Sequence, residues 1–371
     1  MTADDATSGY LVIDGADGEG GGQILRTSLS CALLTGRAFE LRDIRARRPN
    51  PGLRAQHLEC VLASAAVSGA KLDGATLHSR FLRFTPGQVR PGDHEFIIQT
   101  AGSTSLLLQT LALPLAFAGG SSSVLAGGGT HQRMAPSFHY LERVFIPACR
   151  RLGLDARITM LRPGFFPRGG GRVLLQVEPL DEPLRAVQLT SRGDALECRV
   201  LTCMSHLPDH VASRTADAAR EVIGSLGRKR IGKVKHEEID TGTPAMDPGG
   251  AVVACVRWEH GFGAFQSLAE RKVRAEDVGK SAGDALVRFV ADGKGDERPT
   301  VDEYLADQLL LPCALASGVS EYRVQVVSSH LQTNADVLRR FLPACRIEVD
   351  GELHDRNVMV RVTGAGVRPL L

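Results

Sequence analysis

The chain has 371 residues, with 44 Lys plus Arg against 42 Asp plus Glu, a formal net charge of +2, 43% hydrophobic residues, 5% aromatic residues and 40 glycines. That length predicts two domains, or one large domain with an insert, and enough apolar material for a substantial core. The balanced charge excludes a tail-driven nucleic-acid binder, the few aromatics exclude a strand binder that stacks bases on an aromatic platform, and the apolar share excludes a disordered chain.

Residues 1–10 are polar and acidic (Asp4, Asp5), without the basic start and apolar run of a secretion signal, so a cytoplasmic location is expected. Residues 10–13 read as a strand. The run DGADGEGGGQ (14–23) follows and opens a helix over 23–35. Glycines let backbone approach a ligand closely, and N–H groups at a helix start favour phosphate. A tight turn also uses glycine, but five in eight residues around one carboxylate, Glu19, exceed that need. A hard divalent ion bridging Glu19 and phosphate oxygens accounts for the carboxylate. The spacing is neither a Walker loop nor a dinucleotide fingerprint. Residues 42–54, RDIRARRPNPGLR, hold five arginines against one aspartate. Guanidinium forks suit phosphates, although a solvated basic loop is the plain alternative. The run leads into Gln56 and His57 at the start of a helix over 54–67, where guanidinium and amide donors converge.

A strand over 95–98 precedes a helix over 104–118. Its apolar stretch is interrupted by Gln109, Thr110 and Pro114, is too short to span a membrane, and reads as a buried helix. Then come GGGT (127–130), a helix over 138–152, RPGFFPRGGG (162–171) and a strand over 172–177. Together with the first glycine loop, these two suggest a shared, phosphate-rich cleft. Residues 186–293 break the alternation of strands with helix pairs. They contain the basic run Arg228-Lys229-Arg230, read as a solvated face, and read as an inserted small α/β domain. The expected division is a discontinuous core of 1–185 and 294–371 around that insert.

The last part carries a helix over 301–316, a strand over 322–327, the run SHLQTN (329–334) and a helix over 334–342. His330, between strand and helix, is free to face a cleft. LQTLALPLA around Pro114 aligns with ADQLLLPCA around Pro312, and both run on to glycine. Proline normally breaks a helix interior, so the shared proline favours a true repeat over chance likeness of two amphipathic helices. The fold class is therefore α/β (α+β), built of repeated sheet-plus-two-helix units. Tyr304, Asp307 and Gln308 lie at i, i+3 and i+4, on one helix face. An unpaired aspartate in such an apolar segment is costly, so Asp307 is expected to have a partner. The eight scattered cysteines, with no CxxC pair, predict reduced buried thiols rather than disulfides or a zinc site. Pro208 between His206 and His210 spoils a helical metal pair.

Taken in order, the runs DGADGEGGGQILR, IRARRPNPGLRAQHL, AGSTSLLLQT, GGGTHQRMAPSFHYLERVFIP, RPGFFPRGGGRV, VDEYLADQLLLP and SSHLQTN make the chain resemble RNA 3′-terminal phosphate cyclases over most of its length. The chain departs from that pattern at LAERK (268–272), at His139 where an Asp is common, and at His131, a variable position often Asn or Asp. The resemblance implies three repeats of a sheet with two helices, and a small α/β domain inserted before the last. It implies that ATP adenylates a histidine, matched by His330. AMP then passes to an RNA 3′-phosphate, and the 2′-hydroxyl displaces it to leave a 2′,3′-cyclic phosphate. It also implies Mg²⁺ or Mn²⁺ near Glu19, and a nucleotide site matched by Glu19, Arg26, Gln56, Gln109, Pro136, Tyr304, Asp307 and Gln308. Arg45 and Arg48 are expected on substrate phosphate. The partners expected are ATP and an RNA 3′-phosphate end, with no membrane. Monomer and homodimer both remain open. Two other readings compete: a non-catalytic cyclase-like protein of ribosome assembly, and an adenylyltransferase acting on 5′-phosphate ends. The presence of His330, Glu19 and the intact arginine run argues against the first.

Overall fold

The computed structural model describes residues 9–370; the acidic positions Asp4 and Asp5 lie outside them. The fold is mixed α/β, with four small four-stranded sheets. The first unit runs β1 (Leu11–Asp14), α1 (Gln23–Thr35), β2 (Phe39–Arg42), α2 (Ala55–Ser68), β3 (Lys71–Asp73) and β4 (Leu82–Thr85). Its sheet order is β1-β2-β4-β3, with β1 parallel to β2 and the other pairs antiparallel. The second unit repeats this with β5 (Asp93–Ile97), α3 (Thr104–Ala116), β6 (Ser122–Gly128), α4 (Phe138–Tyr140), a π turn (Leu141–Phe145), α5 (Ile146–Leu152), β7 (Ala156–Arg162) and β8 (Gly171–Val177). Its order, β5-β6-β8-β7, has the same one parallel pair and two antiparallel pairs.

The third unit begins with a two-residue strand, β9 (Gln188–Leu189), parallel to a strand more than a hundred residues away. Between them lie β10 (Ala195–Ser205), α6 (His210–Gly224), α7 (Arg228–Ile231), β11 (Val234–Glu238), β12 (Gly249–Trp258), β13 (Gly261–Leu268) and α8 (Ala275–Ala291). The unit then resumes with α9 (Glu303–Gln308), α10 (Leu310–Leu315), β14 (Val319–Val326), α11 (Ser329–Phe341), β15 (Arg346–Val349) and β16 (Arg356–Thr363). Its order β15-β16-β14-β9 is the same unit topology. The extra segment therefore interrupts the third unit after its first strand, instead of preceding the unit. A two-residue strand has too few positions to show a period.

The aligned prolines behave differently in the two helices. Pro114 stays inside α3, and it cannot bond the Thr110 carbonyl one turn back. That carbonyl instead accepts from Ser30 Oγ of α1 at 2.8 Å. At Pro312 the helix divides at Leu309 into α9 and α10.

The sheet of the extra segment, β11-β10-β12-β13, is apolar on both faces. Val200, Val252, Ala254, Val256 and Phe265 pack with Ala216, Leu286 and Phe289 of α6 and α8. Their neighbours Leu201, Cys203, Val253, Cys255 and Ala264 join the large core of the repeats. Successive strand residues point to opposite faces, so near-continuous apolar runs mark a sheet covered twice. Asp302 ties this junction together. Its carboxylate caps α9 through Tyr304 N and Leu305 N, and accepts from Tyr140 Oη at 2.6 Å and Ala264 N at 2.9 Å. All eight cysteines are buried and free, and Arg228-Lys229-Arg230 is exposed. Among the described residues no helix is long and apolar enough to cross a membrane.

Candidate active site

His330 is a helix residue. Ser328 caps α11 by accepting from Leu331 N at 3.1 Å, which starts the helix at Ser329, five residues before the expected 334. The cap sets this earlier start: a serine hydroxyl satisfies a first-turn N–H, and the polar SHLQTN run masks the helical period in the sequence. His330 therefore projects from a helix start, where the partial positive charge favours anions.

The first glycine loop meets this helix start. Gly18 has φ +53°, and a Cβ there would lie 2.1 Å from Thr333 Oγ1, so only glycine fits. Glu19 N donates to the same Thr333 Oγ1 at 3.4 Å. That contact sets the Glu19 carboxylate, 7% exposed, with Oε2 3.3 Å from His330 Nε2 and 2.6 Å from Arg48. On its other edge, His330 Nδ1 meets Gln23 Oε1 at the start of α1. Gln23 Nε2 in turn donates to Asp307 Oδ2. Asn334 Nδ2 approaches the same carboxylate at 3.3 Å, and its Oδ1 accepts from Thr27 Oγ1 at 2.6 Å. Gln23 and Asn334 were not among the residues singled out from sequence. Asn334 lies one turn from His330, a spacing that would have pointed to it had the helix been extended backwards.

The electrostatics are those of crowded cations around few carboxylates. Burial lowers the pKa of Arg26 on α1, partly offset by Glu19 and Asp307. Arg45 is lowered by burial and by Arg48, Arg54 and Arg26. His57 at the start of α2, buried beside Arg26, Arg45 and Arg54, is pushed down to about 2, so its imidazole is neutral. His330 is lowered chiefly by burial, with Glu19 opposing and Arg26 and Arg48 assisting, which favours the neutral imidazole as well. Burial raises Asp307 to about 7. Such an excess of guanidinium over carboxylate fits a polyanionic ligand, and the buried Glu19 oxygen fits a hard cation accompanying it.

The remaining expected residues occupy a wider circle. Gln109 Nε2 donates to Gln308 Oε1 at 2.9 Å, joining α3 to α9. Gln56 Oε1 accepts from Ser103 N at 3.1 Å, joining α2 to the cap of α3. Arg45 NH1 is spent on the Asn50 and Gly52 carbonyls of its own loop, at 2.6 and 3.1 Å. Tyr304 is 48% exposed and stands edge-on to Tyr140 at 6.1 Å. Pro136 is half-buried in a loop whose Gln132 and Ala135 carbonyls accept from Gln266 Nε2. Among the described residues, no hydrogen bond or ion pair links Pro136 or Tyr304 to His330, although the charge of neighbouring Glu303 reaches it. The two later glycine loops pack on each other. A Cβ at Gly164 would lie 2.3 Å from Gly128 O, and one at Gly171 2.8 Å from Gly164 N, so their glycines serve close backbone approach. Arg168 is held by Asp247 at 2.9 Å.

The sequence profile of the family described as RNA 3′-terminal phosphate cyclase matches residues 17–349. A protein of that name from Ralstonia nicotianae is 42% identical over 353 residues, 95% of this chain and 97% of its own. One from Koribacter versatilis is 40% identical over 334 residues, 90% of each chain. One from Salmonella enteritidis is 38% identical over 353 residues, 95% of this chain and 98% of its own.

Proposed function

The chain belongs to the RNA 3′-terminal phosphate cyclase family, and we propose that it closes RNA 3′-phosphates at the expense of ATP through an adenylated His330. The observation that carries this reading is the junction of His330, Glu19 and Arg48 at the mouth of the first glycine loop. Gln23 Oε1 and Glu19 Oε2 can both only accept, so they compete for the one proton of the neutral ring, and the form with that proton on Nδ1 toward Gln23 leaves Nε2 to attack. Nε2 attacks the α-phosphorus of ATP, the bond to the bridging oxygen breaks, and diphosphate leaves. A 3′-phosphate oxygen of the RNA then attacks the adenylyl phosphorus and releases imidazole. Finally the 2′-hydroxyl attacks the 3′-phosphorus, loses its proton and expels AMP. The hydroxyl is already held beside its target, so closure needs mainly activation of the phosphate.

Arg26 and Arg48 meet the phosphates, with Arg45 bracing the loop that carries Arg48. When bound, Mg²⁺ or Mn²⁺ supplies charge neutralisation at the departing diphosphate, and Glu19 is the residue that would hold it. Gln56, Gln109, Pro136, Tyr304, Asp307 and Gln308 frame the nucleotide. RNA affinity is mostly electrostatic and salt-sensitive, since an end-processing site reads phosphate and 2′-hydroxyl more than base edges.

Incubation with α-labelled ATP and divalent metal tests the reading. A labelled, acid-labile, base-stable protein adduct is expected, absent in His330→Ala. An RNA ending in a 2′-deoxy 3′-phosphate is expected to accept AMP without cyclising. No adduct on the native chain, or an undiminished adduct on His330→Ala, would refute the proposal. Preference for 5′-phosphate over 3′-phosphate oligonucleotides in competition would favour the adenylyltransferase reading.

A further inference from the structure

We propose that His131, His139 and Cys203 form a zinc site that clamps the inserted sheet to the second repeat. One ring nitrogen from each histidine and Cys203 Sγ all lie within 4.8 Å of one another. The three residues come from different parts of the fold: the loop after β6, helix α4, and strand β10 of the extra segment. Each is buried, at 2%, 1% and 1% exposure.

The hydrogen bonding of the two rings identifies the free donors. His139 Nδ1 lies 3.3 Å from Glu142 Oε2, and a carboxylate only accepts, so Nδ1 carries the proton and Nε2 a bare lone pair. His131 Nδ1 meets Thr130 Oγ1 at 2.8 Å, and that hydroxyl also lies 3.3 Å from Gly164 O; with the hydroxyl proton given to Gly164 O, the ring proton sits on Nδ1 and Nε2 is bare. Both Nε2 atoms are buried without any hydrogen-bond partner. An unsatisfied buried acceptor costs about 1–3 kcal/mol, so two together in one pocket, beside a thiol, call for a common occupant. Nδ1–H bound to a carboxylate or hydroxyl is the outer support that fixes a metal-ligating imidazole. Two imidazoles and a thiolate suit zinc, a borderline-soft ion, better than magnesium or calcium, which take oxygen ligands.

Two donors each about 2.0–2.3 Å from a zinc ion stand at most roughly 4.5 Å apart, and about 3.5 Å apart in a tetrahedron. Donors within 4.8 Å of one another therefore need to close by roughly 1 Å at most on loading. The Cys203 thiol proton leaves to solvent as the sulfur–zinc bond forms, and a water or hydroxide completes the fourth position. A groove bordered by His139, Glu142, Met160, Glu237 and Thr241 runs past one ligand and gives the ion a way in.

The site is separate from the Glu19 and His330 chemistry, so its test is separate too. Tag-free protein is equilibrated with zinc, dialysed and analysed for bound metal, and a parallel sample is loaded with cobalt. The expected results are one equivalent of zinc retained through dialysis, and a cobalt form with thiolate charge-transfer absorption and tetrahedral d–d bands. Cys203→Ala should lose the charge-transfer band, and His139→Asn should lower zinc affinity at least tenfold, whereas Glu19→Gln keeps both signals. The native measurements stand even if a variant fails to fold. Less than a stoichiometric amount of retained zinc, a cobalt spectrum without thiolate absorption, or binding lost with Glu19→Gln instead of Cys203→Ala would overturn the proposal.

Discussion

Asp307→Asn should make the protein relatively more stable as pH rises. Asp307 is 9% exposed and accepts from Gln23 and Asn334. Burial raises its pKa from 3.8 to about 7, outweighing the opposing hydrogen bond from Gln23. The sign follows from proton counting. Between those two values the native chain still holds the proton and the unfolded chain has released it. The native state then binds more protons, and stability falls with rising pH. The loss is absent below the unfolded value and complete above about pH 7. At about 1.4 kcal/mol for each decade of proton affinity, it amounts to roughly 4 kcal/mol. An amide at this position keeps an oxygen for Gln23 or Asn334 but cannot ionise, so the variant escapes the penalty. Taking about 2.1 cal/mol/K of unfolding entropy per residue, 4 kcal/mol corresponds to about 5 °C in a chain of this size. Thermal unfolding of native and variant protein without nucleotide, from pH 4 to pH 8, measures it. The variant's Tm relative to the native should climb by about 5 °C across that range. Parallel curves would show that Asp307 is ionised throughout and that the reasoning from burial is wrong.

Other consequences follow from the same contacts. Gly18→Ala places a methyl 2.1 Å from Thr333 Oγ1 at φ +53° and should slow His330 adenylation at least tenfold. Adding Thr333→Ala should recover part of that rate, and a native rate in the single variant would contradict the close approach. Arg48 lowers the pKa of His330 and Glu19 raises it. NMR titration of the imidazole should therefore find it higher in Arg48→Met and lower in Glu19→Gln, and shifts of the same sign would refute that balance. Breaking the 2.9 Å bond between Gln109 and Gln308 by either single Leu substitution should cost about 1 kcal/mol in urea unfolding, and the double substitution less than the sum. Because the pair frames the proposed nucleotide site, the double variant should also show a raised KM for ATP.

What could be read from sequence was what repeats over many residues. The helices over 23–35 and 104–116 and the helical stretch 138–152 each bury an apolar face long enough to show its period, and their bounds agree with expectation to within two residues. The shared proline exposed the kinship of two units before any strand order was known. Short elements were not legible in this way. β3 has three residues and β9 has two, and β9 hid where the third unit begins. The helix start at His330 was missed because capping residues and polar site residues overwrite the apolar pattern in its first turn. Gln23 closed the glycine motif in plain view, but nothing local announces that it joins Asp307, 284 positions away, to His330.

The repeat itself accounts for where the chemistry sits. α1, α3 and α9 are the first helices of the three units, and they meet through side-chain hydrogen bonds. Gln23 reaches Asp307, Gln109 reaches Gln308, and Ser30 reaches the carbonyl freed by Pro114. In the aligned frame Gln109 and Asp307 occupy the same position. The same frame position therefore carries an amide in one unit and a carboxylate in another. Polar atoms along such a seam cost stability unless each is paired, so pairing across units fixes the register of the three helices. Glu19 lies in the loop between the first strand and first helix of its unit, and His330 stands near the start of the second helix of the third unit, the place His57 holds in α2 of the first. A seam held rigid by cross-unit pairs, with several guanidinium groups near its mouth, holds His330 beside concentrated positive charge without needing a net basic chain. That is why a formal charge of +2 is compatible with an RNA-end enzyme.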